Sequence, residues 1–398
     1  MSSLGHGTDQ VSPPVYFLSY SRKNLDDVRH FAQILLLHGI VIWQDINNLG
    51  TGISESKIRR AIREGSQGLV FFITEQSISS DIIRKIELPE ADEKYRRNGT
   101  YNIVPIFGIP INNAVTALDD CLSIPISDFN GVKINDPGEY SDLLNAGHRA
   151  AELILNDVEF GHGDFVMIGL SSKQRVSGEL ALNLDSMELF NAGLPTEYFW
   201  DYHISAALKR VKNALVSADK KVVRLHAFCH LSLALLFGYT FRRTSGFKLE
   251  VQQSGVNHGT VWATDSDREP NPLNENEVRG DASSTNLCVT INLLSSDFLS
   301  VTSYLESASL SYRAMVKLSS ENYPCTISEG QAVGIALDMT NKIKELHAKY
   351  GTDTVHLFCA IPLGLAVLIG FNMNACGTIC CYEFDNARRE YIPSCRLD

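Results

Sequence analysis

Short apolar segments alternate with amphipathic segments over roughly the first 156 residues. Four apolar segments have the length and composition of strands: VYFLSY (15–20), GIVIW (39–43), GLVFFIT (68–74) and YNIVPIFGI (101–109). A weaker fifth strand is predicted around Leu122–Ile126. Helices are predicted at Asn24–His38, Ile53–Glu64, Asp81–Arg97 and Gly138–Leu155. Strand–helix alternation with short connections predicts a doubly wound parallel sheet, whose ligand site lies outside the carboxyl ends of the strands.

A second region follows the glycine-rich break EFGHG (159–163), and it contains an internal similarity. The segments LHAFCHLSLALLFGYTF (225–241) and VHLFCAIPLGLAVLIGFNM (355–373) share H-x-F-C, with His226 and His356 in matching positions. Each continues through a helix rich in small residues into a β-like segment, which indicates a duplicated α/β unit. Two such halves would form a central groove suited to a cyclic ligand, or the duplication would only enlarge the domain. Both interpretations stay open.

One apolar segment, Val355–Met373, has the length of a membrane span. Pro362 and two glycines interrupt it, and His356 lies within it. We therefore interpret it as a buried strand, a short turn and a buried helix.

Composition restricts the functional classes. Hydrophobic residues make up 44% of the 398 residues and charged residues 20%, as in a folded globular protein. The net charge of −11 argues against a protein that coats nucleic-acid backbone, but leaves room for one small basic pocket. Nine cysteines without a C-x-x-C pair indicate neither a zinc site nor a disulfide framework. The first residues lack the layout of a secretory signal, so we expect a soluble cytoplasmic protein. We also expect that it needs no metal or cofactor.

The first region carries three motifs in the order of a known family. FLSYSRKN (17–24) is a strand followed by a charged loop, and WQDINNLGTGISESKIRRAI (43–62) is a strand end, a glycine-bearing loop and a helix. LVFFITEQSISSD (69–81) is a hydrophobic strand followed by a serine-rich turn. These motifs resemble the TIR family, and the resemblance covers residues 14–157. It implies a flavodoxin-like doubly wound parallel sheet.

The TIR resemblance also suggests a catalytic carboxylate. The family motif is a serine, a tryptophan and then a glutamate four residues later, and the matching segment here is SSDIIRKIELPEA (79–91). Glu87 fits the Glu-Leu-x-x-Ala end of that motif, with Glu90 as the second choice, while Ile82 or Ile83 stands where the family has tryptophan. The resemblance implies cleavage of NAD⁺ between nicotinamide and ribose. Neutral nicotinamide leaves without a general acid, so one carboxylate beside the oxocarbenium-like ribose is enough.

The implied NAD⁺ pocket lies at the strand ends and in the loop after the second strand. Its expected substrate contacts are Ser19, Tyr20, Ser21, Arg22, Lys23, Trp43, Asp45, Asn48, Leu49 and Gly50. Some of them have structural alternatives. By strand alternation, one residue of positions 19–21 points into the core. Arg22 and Lys23 either meet phosphates or face solvent, and Trp43 is more often a core residue than a stacking platform. Asp45 either contacts the substrate or caps the loop after the strand.

Residues 164–398 resemble the SAVED domain, a fused pair of CARF-like halves that senses cyclic oligonucleotides. The duplicated H-x-F-C segments carry this resemblance, together with the strand–loop units GELALNL (178–184) and NLCVTINLL (286–294) and the tail CCYEFDNARREYIP (380–393). The halves are placed at about 164–270 and 285–398. The combination resembles the TIR–SAVED effectors of CBASS antiphage defence.

Cyclic-nucleotide contacts are expected at four strand ends, where helix amides also face the ligand. The four loops are Asp185–Phe190, Cys229–Ser232, Leu294–Phe298 and Ala360–Gly364. The candidates are Trp200, His230, Ser232, Arg242, Arg243, Ser295, Ser296 and Pro362. His226 and His356 are predicted to be core histidines with internal hydrogen bonds. The remaining Cys and His residues show no metal spacing.

The resemblance implies a switch. A cyclic oligoadenylate, with the cyclic tri-adenylate preferred, binds the SAVED groove and joins protomers head to tail in a helical filament. The loop at Asn47–Gly52 of one protomer then completes the NAD⁺ pocket of its neighbour. Two alternatives remain: a non-catalytic TIR scaffold recruited by a nucleotide sensor, and a TIR domain that forms cyclic ADP-ribose.

Overall fold

The computed structural model describes residues 12–43, 55–191, 193–253, 259–270, 273–294, 299–320 and 327–398. The chain divides into two compact units. The first comprises the described residues up to His162 together with Gly178–Ser186, and the second comprises Gly163–Ser177 and Met187–Asp398. The short strand β7 (Leu182–Asp185) lies in the segment grouped with the first unit.

The first unit is a parallel sheet covered by helices. Its strands are β1 Val15–Ser19, β2 Val41–Trp43, β3 Gly68–Ile73, β4 Asn102–Phe107 and β5 Val132–Lys133. Its helices are α1 Leu25–Leu37, α2 Glu55–Gly65, α3 Glu75–Ile78, α4 Leu88–Arg97, α5 Ile111–Leu118 and α6 Tyr140–Asn156. The sheet order is β2-β1-β3-β4-β5, and every strand pair is parallel. A mixed α/β fold with parallel sheets was predicted and is confirmed.

The central strand β3 is buried along its whole length because helices cover both faces of the sheet. Alternate side chains enter different cores: Val70 and Phe72 pack in one apolar cluster, and Leu69 and Phe71 pack in the other. The prediction of a fifth strand at Leu122–Ile126 is wrong. Pro125 removes a backbone donor there and precedes a 3-10 turn at Ile126–Asp128, so the fifth strand forms later, at β5.

A π-helical turn, Ile83–Glu87, leads directly into α4. The amide of Leu88 donates to the carbonyl of Ile83 across this wide turn. Pro89 follows at once and has no amide to donate, so an ordinary α-helical bond to residue 85 is impossible at this point. Single π turns of this kind occur often at functional sites.

The second unit contains two sheets. Its strands are β6 Val166–Ser171, β8 Val222–Phe228, β9 Lys248–Gln252, β10 Val261–Ala263, β11 Leu273–Arg279, β12 Asn286–Asn292, β13 Ala314–Ser320, β14 Thr354–Ala360, β15 Thr378–Asp385 and β16 Glu390–Leu397. Four of them are ordered β10-β9-β8-β6, and six are ordered β11-β13-β12-β14-β15-β16. The inner pairs β6–β8, β8–β9, β13–β12, β12–β14 and β14–β15 are parallel.

The helices of the second unit are α7 Met187–Asn191, α8 Glu197–Phe199, α9 Ser205–Ser217, α10 Leu231–Thr240, α11 Leu299–Ser307, α12 Glu329–Tyr350 and α13 Leu363–Asn372. A π-helical turn, Trp200–Ile204, joins α8 to α9. The apolar segment that has the length of a membrane span forms β14 and the ten-residue α13, as interpreted from the sequence. Within the described residues, no helix combines the length and apolarity that crossing a membrane requires.

The two halves of the second unit repeat one arrangement. Strands β8 and β14 both have seven residues, helices α10 and α13 both have ten, and each pair starts 132 residues apart, at positions 222 and 354 and at 231 and 363. The sequence match of His226 with His356 is therefore two residues out of structural register. Because side chains alternate along a strand, a difference of two residues leaves the two histidines on the same face of their strands but at different positions along them. His356 is buried and its Nδ1 lies 2.7 Å from the Tyr382 hydroxyl, while His226 is only half-buried.

Helices α10 and α13 cross where each contributes a glycine. A Cβ added at Gly238 would lie 2.1 Å from the carbonyl oxygen of Val367, and one added at Gly370 would lie 2.1 Å from that of Leu235. These two contacts are related by the same 132-residue offset, so the crossing has approximate two-fold symmetry. Only glycine permits this approach, because any side chain would overlap the facing backbone.

Candidate functional site

The strongest candidate site of the first unit lies at the carboxyl end of β1. Ser19 is the last residue of that strand, and its Oγ donates a hydrogen bond to Oε2 of Glu87 at 2.5 Å. Both side chains are buried, with 1% of Ser19 and 8% of Glu87 exposed. The π-helical turn ends at Glu87 and so fixes this carboxylate at the edge of the sheet where the sequence places the ligand.

Glu90, the second choice for the catalytic carboxylate, has different surroundings. One of its oxygens accepts a hydrogen bond from Arg59 Nη1, and the other accepts from Arg63 Nε at 2.5 Å. A second bond from Arg63, through Nη2, is 3.0 Å long. Both arginines lie on α2, so Glu90 ties α4 to α2. This engaged carboxylate has a structural role, whereas Glu87 faces the end of a strand.

Three of the predicted contacts follow Ser19 directly. Tyr20 is buried in an apolar cluster, so it is the residue that alternation sends into the core. Ser21 caps the short 3-10 turn Arg22–Asn24 by accepting from the amide of Lys23. The side chains of Arg22 and Lys23 are exposed beside the strand end.

A second hydrogen bond fixes the same edge of the sheet. The hydroxyl of Thr74 follows β3 and donates to Oδ1 of Asn24 at 2.8 Å. Thr74 also begins α3, where it forms a capping box with Ser77. The loops that follow β1 and β3 are thus tied to one another next to the Ser19–Glu87 pair.

The aromatic residues of the predicted pocket do not form a stacking platform in this structure. Trp43 is half-buried and stacks on Phe17, with ring centroids 4.9 Å apart, so it packs on the core. Ile83 is buried in that core, and Ile82 is exposed. The predicted contacts Asp45, Asn48, Leu49 and Gly50, and the loop Asn47–Gly52, lie outside the described residues.

The second unit brings His230 together with Phe190, from the predicted loop Asp185–Phe190, and with Ser172, which the sequence analysis did not identify. Its Nδ1 lies 2.8 Å from Oγ of Ser172, and its amide donates to the same oxygen at 2.9 Å. Its ring stacks on Phe190, with centroids 4.4 Å apart and an interplanar angle of 14°. Ser172 follows the carboxyl end of β6, and His230 follows that of β8, so the cluster lies at the predicted ligand edge.

His230 is neutral near physiological pH. Burial, and after it the charge of Lys173, lowers the pKa of His230 to about 4. Because Ser172 Oγ accepts from the His230 amide, its own proton is free to point at Nδ1. When the Ser172 hydroxyl donates to Nδ1, the imidazole carries its proton on Nε2, and Nε2 is then a hydrogen-bond donor.

The amino end of α10 is already occupied by a carboxylate. Glu383 accepts from the amides of Leu231 and Ser232 at 3.3 and 2.9 Å, and Lys173 Nζ lies 4.0 Å from it. Burial raises the pKa of Glu383. The predicted ligand contact Ser232 is fully buried and its Oγ accepts from Ser394, so the expectation that it offers an amide to phosphate is corrected.

A neutral side chain lies against the first turn of α13. The buried Gln253 lies against α13, where its side-chain amide occupies the space that a Cβ at Gly364 would take. Gly364 stands at the position equivalent to Ser232, 132 residues later. Pro362, another predicted contact, is half-buried immediately before α13.

Trp200 is fully buried in the π turn, so the prediction that it contacts the ligand directly is corrected. Its ring packs edge-on against Phe190, with centroids 5.5 Å apart. Two further predicted contacts lie away from the ligand edge. Arg242 and Arg243 follow the carboxyl end of α10, about 15 Å along the helix from its amino end. Their proposed contact with a ligand at the strand ends is corrected for this reason. Ser295 and Ser296 lie outside the described residues.

Residues that the sequence analysis missed are Ser172, Lys173 and Glu383. A usable signal existed for the first two, because they directly follow a buried strand, as His230 does. Glu383 gave no such signal, since its role depends on a helix that lies about 150 residues earlier in the chain.

The carboxyl-terminal region is similar to a known sensor family. Residues 204–397 match the SAVED family model, described as "SMODS-associated and fused to various effectors sensor domain". The chain is 23% identical over 222 residues to CD-NTase-associated protein 4 of Enterobacter hormaechei subsp. hoffmannii (strain UCI 50), covering 54% of this chain and 44% of that protein. It is 22% identical over 245 residues to CD-NTase-associated protein 4 of Moraxella osloensis, covering 59% and 49%. The chain thus spans less than half the length of these curated relatives.

Two solved structures share the fold. One is the Acinetobacter baumannii Cap4 SAVED/CARF-domain containing receptor with the cyclic trinucleotide 2'3'3'-cAAA, at a TM-score of 0.51 and 16% identity, covering 96% of this chain and 88% of that chain. The other is the same receptor with 3'3'3'-cAAA, at a TM-score of 0.50, 15% identity and the same coverage. Residues 204–397 are therefore similar to the SAVED family, and the chain has a mixed α/β fold like that of these two receptors. The TIR assignment of the first unit stays a prediction.

Proposed function

We propose that this chain is an NAD⁺ glycohydrolase that a cyclic oligoadenylate activates. The observation that carries the catalytic part is the buried Ser19–Glu87 pair at the carboxyl edge of a parallel sheet. The SAVED match over residues 204–397 supports the sensory part.

The sensory part of the proposal has two further supports. The related A. baumannii receptor was solved with two isomers of a cyclic tri-adenylate. In this chain, the stacked Phe190–His230 rings provide an aromatic surface beside the ends of β6 and β8. Lys173 adds a positive charge at the same edge, so bases and phosphates both have partners there.

The catalytic part rests on the fold and motifs of the first unit. A sheet order of 2-1-3-4-5 with all strands parallel is the flavodoxin-like order, in which ligands bind at the carboxyl ends beside the first strand. Ser19 and Glu87 occupy that position, and both belong to motifs that resemble the TIR family. We take the first unit as the TIR effector domain.

Glu87 acts on the ribose of NAD⁺ by electrostatic stabilisation. As the glycosidic bond breaks, positive charge develops on the ribose, and a carboxylate held nearby lowers the energy of that state. Ser19 positions the carboxylate through its hydrogen bond. Nicotinamide departs as a neutral molecule, so Glu87 needs no proton at this step. Water then completes hydrolysis, while attack by the adenine of the same molecule would give cyclic ADP-ribose.

Activation requires that ligand binding changes the first unit. We propose that the cyclic oligoadenylate joins protomers head to tail in a filament, and that neighbouring protomers complete each other's NAD⁺ pockets. The small exposed fraction of Glu87 fits this proposal, since an isolated protomer presents little of the carboxylate to a substrate.

The test measures NAD⁺ loss and light scattering with a panel of cyclic di-, tri- and tetra-adenylates. We expect NAD⁺ loss and increased scattering only with the activating ring size, and a fall of at least about 100-fold in rate for Glu87→Gln. Glu93→Gln on α4 removes the same charge and keeps full activity. Chromatography of the products distinguishes ADP-ribose from its cyclic form.

Three outcomes overturn the proposal. Activity that is already maximal without a cyclic nucleotide removes the switch. Equal rates for the wild type and Glu87→Gln remove the catalytic assignment. Ligand-induced scattering without NAD⁺ loss favours the non-catalytic scaffold.

A further inference from the structure

A cationic cavity of about 400 Å³ lies in the second unit, at the carboxyl end of α10. Helix α9, the π turn before it and the end of β16 form its other walls. The side chains that matter for its chemistry are Tyr202, Lys209, Lys212, Tyr239, Arg242 and Arg396.

Positive charge in this cavity exceeds negative charge. Four basic side chains line it, against the acidic Asp201 and Asp398. Within the described part of the chain, no carboxylate lies within ion-pair distance of Lys209, Lys212 or Arg242. Anions are thus the missing partners of these three groups.

The geometry of the three cations is convergent. Lys209 and Lys212 lie three residues apart on α9 and so project from one face of the helix. Arg242 lies over the ring of Tyr239, with its guanidinium carbon 4.4 Å from the centroid, which fixes the plane of the guanidinium. Burial, and then the charges of Arg242, Lys209 and Lys221, lowers the pKa of Lys212, as expected of cations gathered without a counter-ion.

An exposed aromatic pair borders the cavity. Tyr202 lines it and stacks on Tyr198, with ring centroids 4.6 Å apart. The two residues are 64% and 56% exposed, respectively, which is unusual for large aromatic side chains in contact with each other. A flat π surface next to a group of cations has the two features that a base and its phosphates require.

This cavity is separate from the predicted groove for the cyclic nucleotide. The groove lies at the amino end of α10, at His230 and Glu383, whereas Tyr239 and Thr240 line the cavity at the other end of that helix. A helix of ten residues separates them by about 15 Å. The inference is therefore independent of the proposed function.

We propose that this cavity binds a nucleotide with a terminal diphosphate, whose phosphates contact Lys209, Lys212 and Arg242 and whose base stacks on Tyr202. Two ammonium groups and one planar guanidinium suit the charge and geometry of a diphosphate. Asp398 lines the same cavity, and its main-chain oxygen accepts a hydrogen bond from the Tyr239 hydroxyl, so the incoming phosphates share the cavity with it.

The experiment measures binding of inorganic pyrophosphate and of ADP to the full chain by calorimetry. We expect Lys212→Gln and Arg242→Gln each to weaken both probes about tenfold, because each removes a charge-assisted contact. Tyr202→Ala weakens ADP about tenfold and leaves pyrophosphate unchanged, because only ADP has a base to stack. Lys344→Gln on α12 removes the same charge elsewhere and changes neither affinity.

Photolabelling with azido-ADP locates the bound base. We expect the label in the peptide that contains Tyr198 and Tyr202. A label confined to peptides of residues 12–162 reports the NAD⁺ pocket of the proposed function and overturns this inference. No pyrophosphate binding, an equal loss in Lys344→Gln, or an unchanged ADP affinity in Tyr202→Ala also overturns it.

Discussion

Replacing Glu90 by glutamine tests whether the two neighbouring carboxylates have different roles. Glutamine keeps the shape of the side chain, but it removes the charge that Arg59 and Arg63 share and places an NH₂ group opposite one guanidinium. Glu90 accepts three hydrogen bonds from these arginines and is 3% exposed. The variant therefore loses the tie between α2 and α4, while the Glu87 site stays intact.

The expected loss of stability depends on how exposed the two arginines are. Breaking a buried ion pair typically costs about 3–5 kcal/mol because a charge is left without compensation. The side chains of Arg59 and Arg63 are 37% and 54% exposed, so water solvates them after the change and the cost is lower. We expect a loss of about 2–3 kcal/mol, which lowers the melting temperature by roughly 5–10 °C for a unit of this size.

Calorimetry of the full chain gives the melting temperature, and hydrogen exchange of α2 and α4 peptides shows where stability is lost. Glu64→Gln is the matched control, because the Arg60–Glu64 pair on α2 is exposed and contributes no more than about 0.5 kcal/mol. The reasoning is refuted if Glu90→Gln is no less stable than Glu64→Gln. It is equally refuted if exchange in α2 and α4 is unchanged.

Three further changes test other parts of the structure. Gly238→Ala places a Cβ 2.1 Å from the carbonyl of Val367, so we expect a loss of more than about 3 kcal/mol by urea unfolding. Gly163→Ala is the control, because its Cβ would meet nothing closer than 3.7 Å, and its free energy of unfolding should stay near that of the wild type. Equal stability of the two variants would contradict the close helix crossing. Burial, and then the charge of Arg396, lowers the pKa of His356 from 6.5 to about 4. The imidazole is therefore protonated at a higher pH in the unfolded chain than in the folded one, so the free energy of unfolding falls as the pH drops from about 6.5 towards 4. Between pH 7.5 and 5 this imidazole should account for roughly 2 kcal/mol of the loss in the wild-type free energy of urea unfolding, and His356→Gln should remove that part; an identical pH dependence of the two proteins argues against a buried neutral imidazole. Ser19→Ala should lower kcat for NAD⁺ about tenfold with KM little changed, since it frees the carboxylate that Ser19 positions; unaltered kcat would show that Ser19 has no such role.

The alternation of strands and helices could be read from the sequence because it depends on local patterns. The buried strand β3 and the strand–helix pair β14–α13 formed where periodicity placed them. The fifth strand was misplaced because Pro125 interrupts a short apolar run. The internal duplication was visible too, although its true offset is 132 residues and not the 130 of the H-x-F-C match. Two residues of difference leave side chains on the same face, so the pattern alone does not reveal the error.

The details of the sites depend on contacts between distant segments. Glu87 and Glu90 are both plausible from sequence, and only their partners, Ser19 and the arginines of α2, separate them. Arg242 was expected near the strand-end loops, but it follows the carboxyl end of α10, because the sequence does not show which end of that helix faces the ligand edge. The capping of α10 by Glu383 links positions about 150 residues apart and has no local signature.

The most direct measurement of the central proposal is a cryo-microscopy map of the activated assembly with a non-hydrolysable NAD⁺ analogue. The account predicts that the Glu87 carboxylate lies within about 4 Å of the ribose that carries nicotinamide, at a distance where charge stabilisation is effective. A dinucleotide bound elsewhere, with Glu87 still turned only towards Ser19, would contradict it.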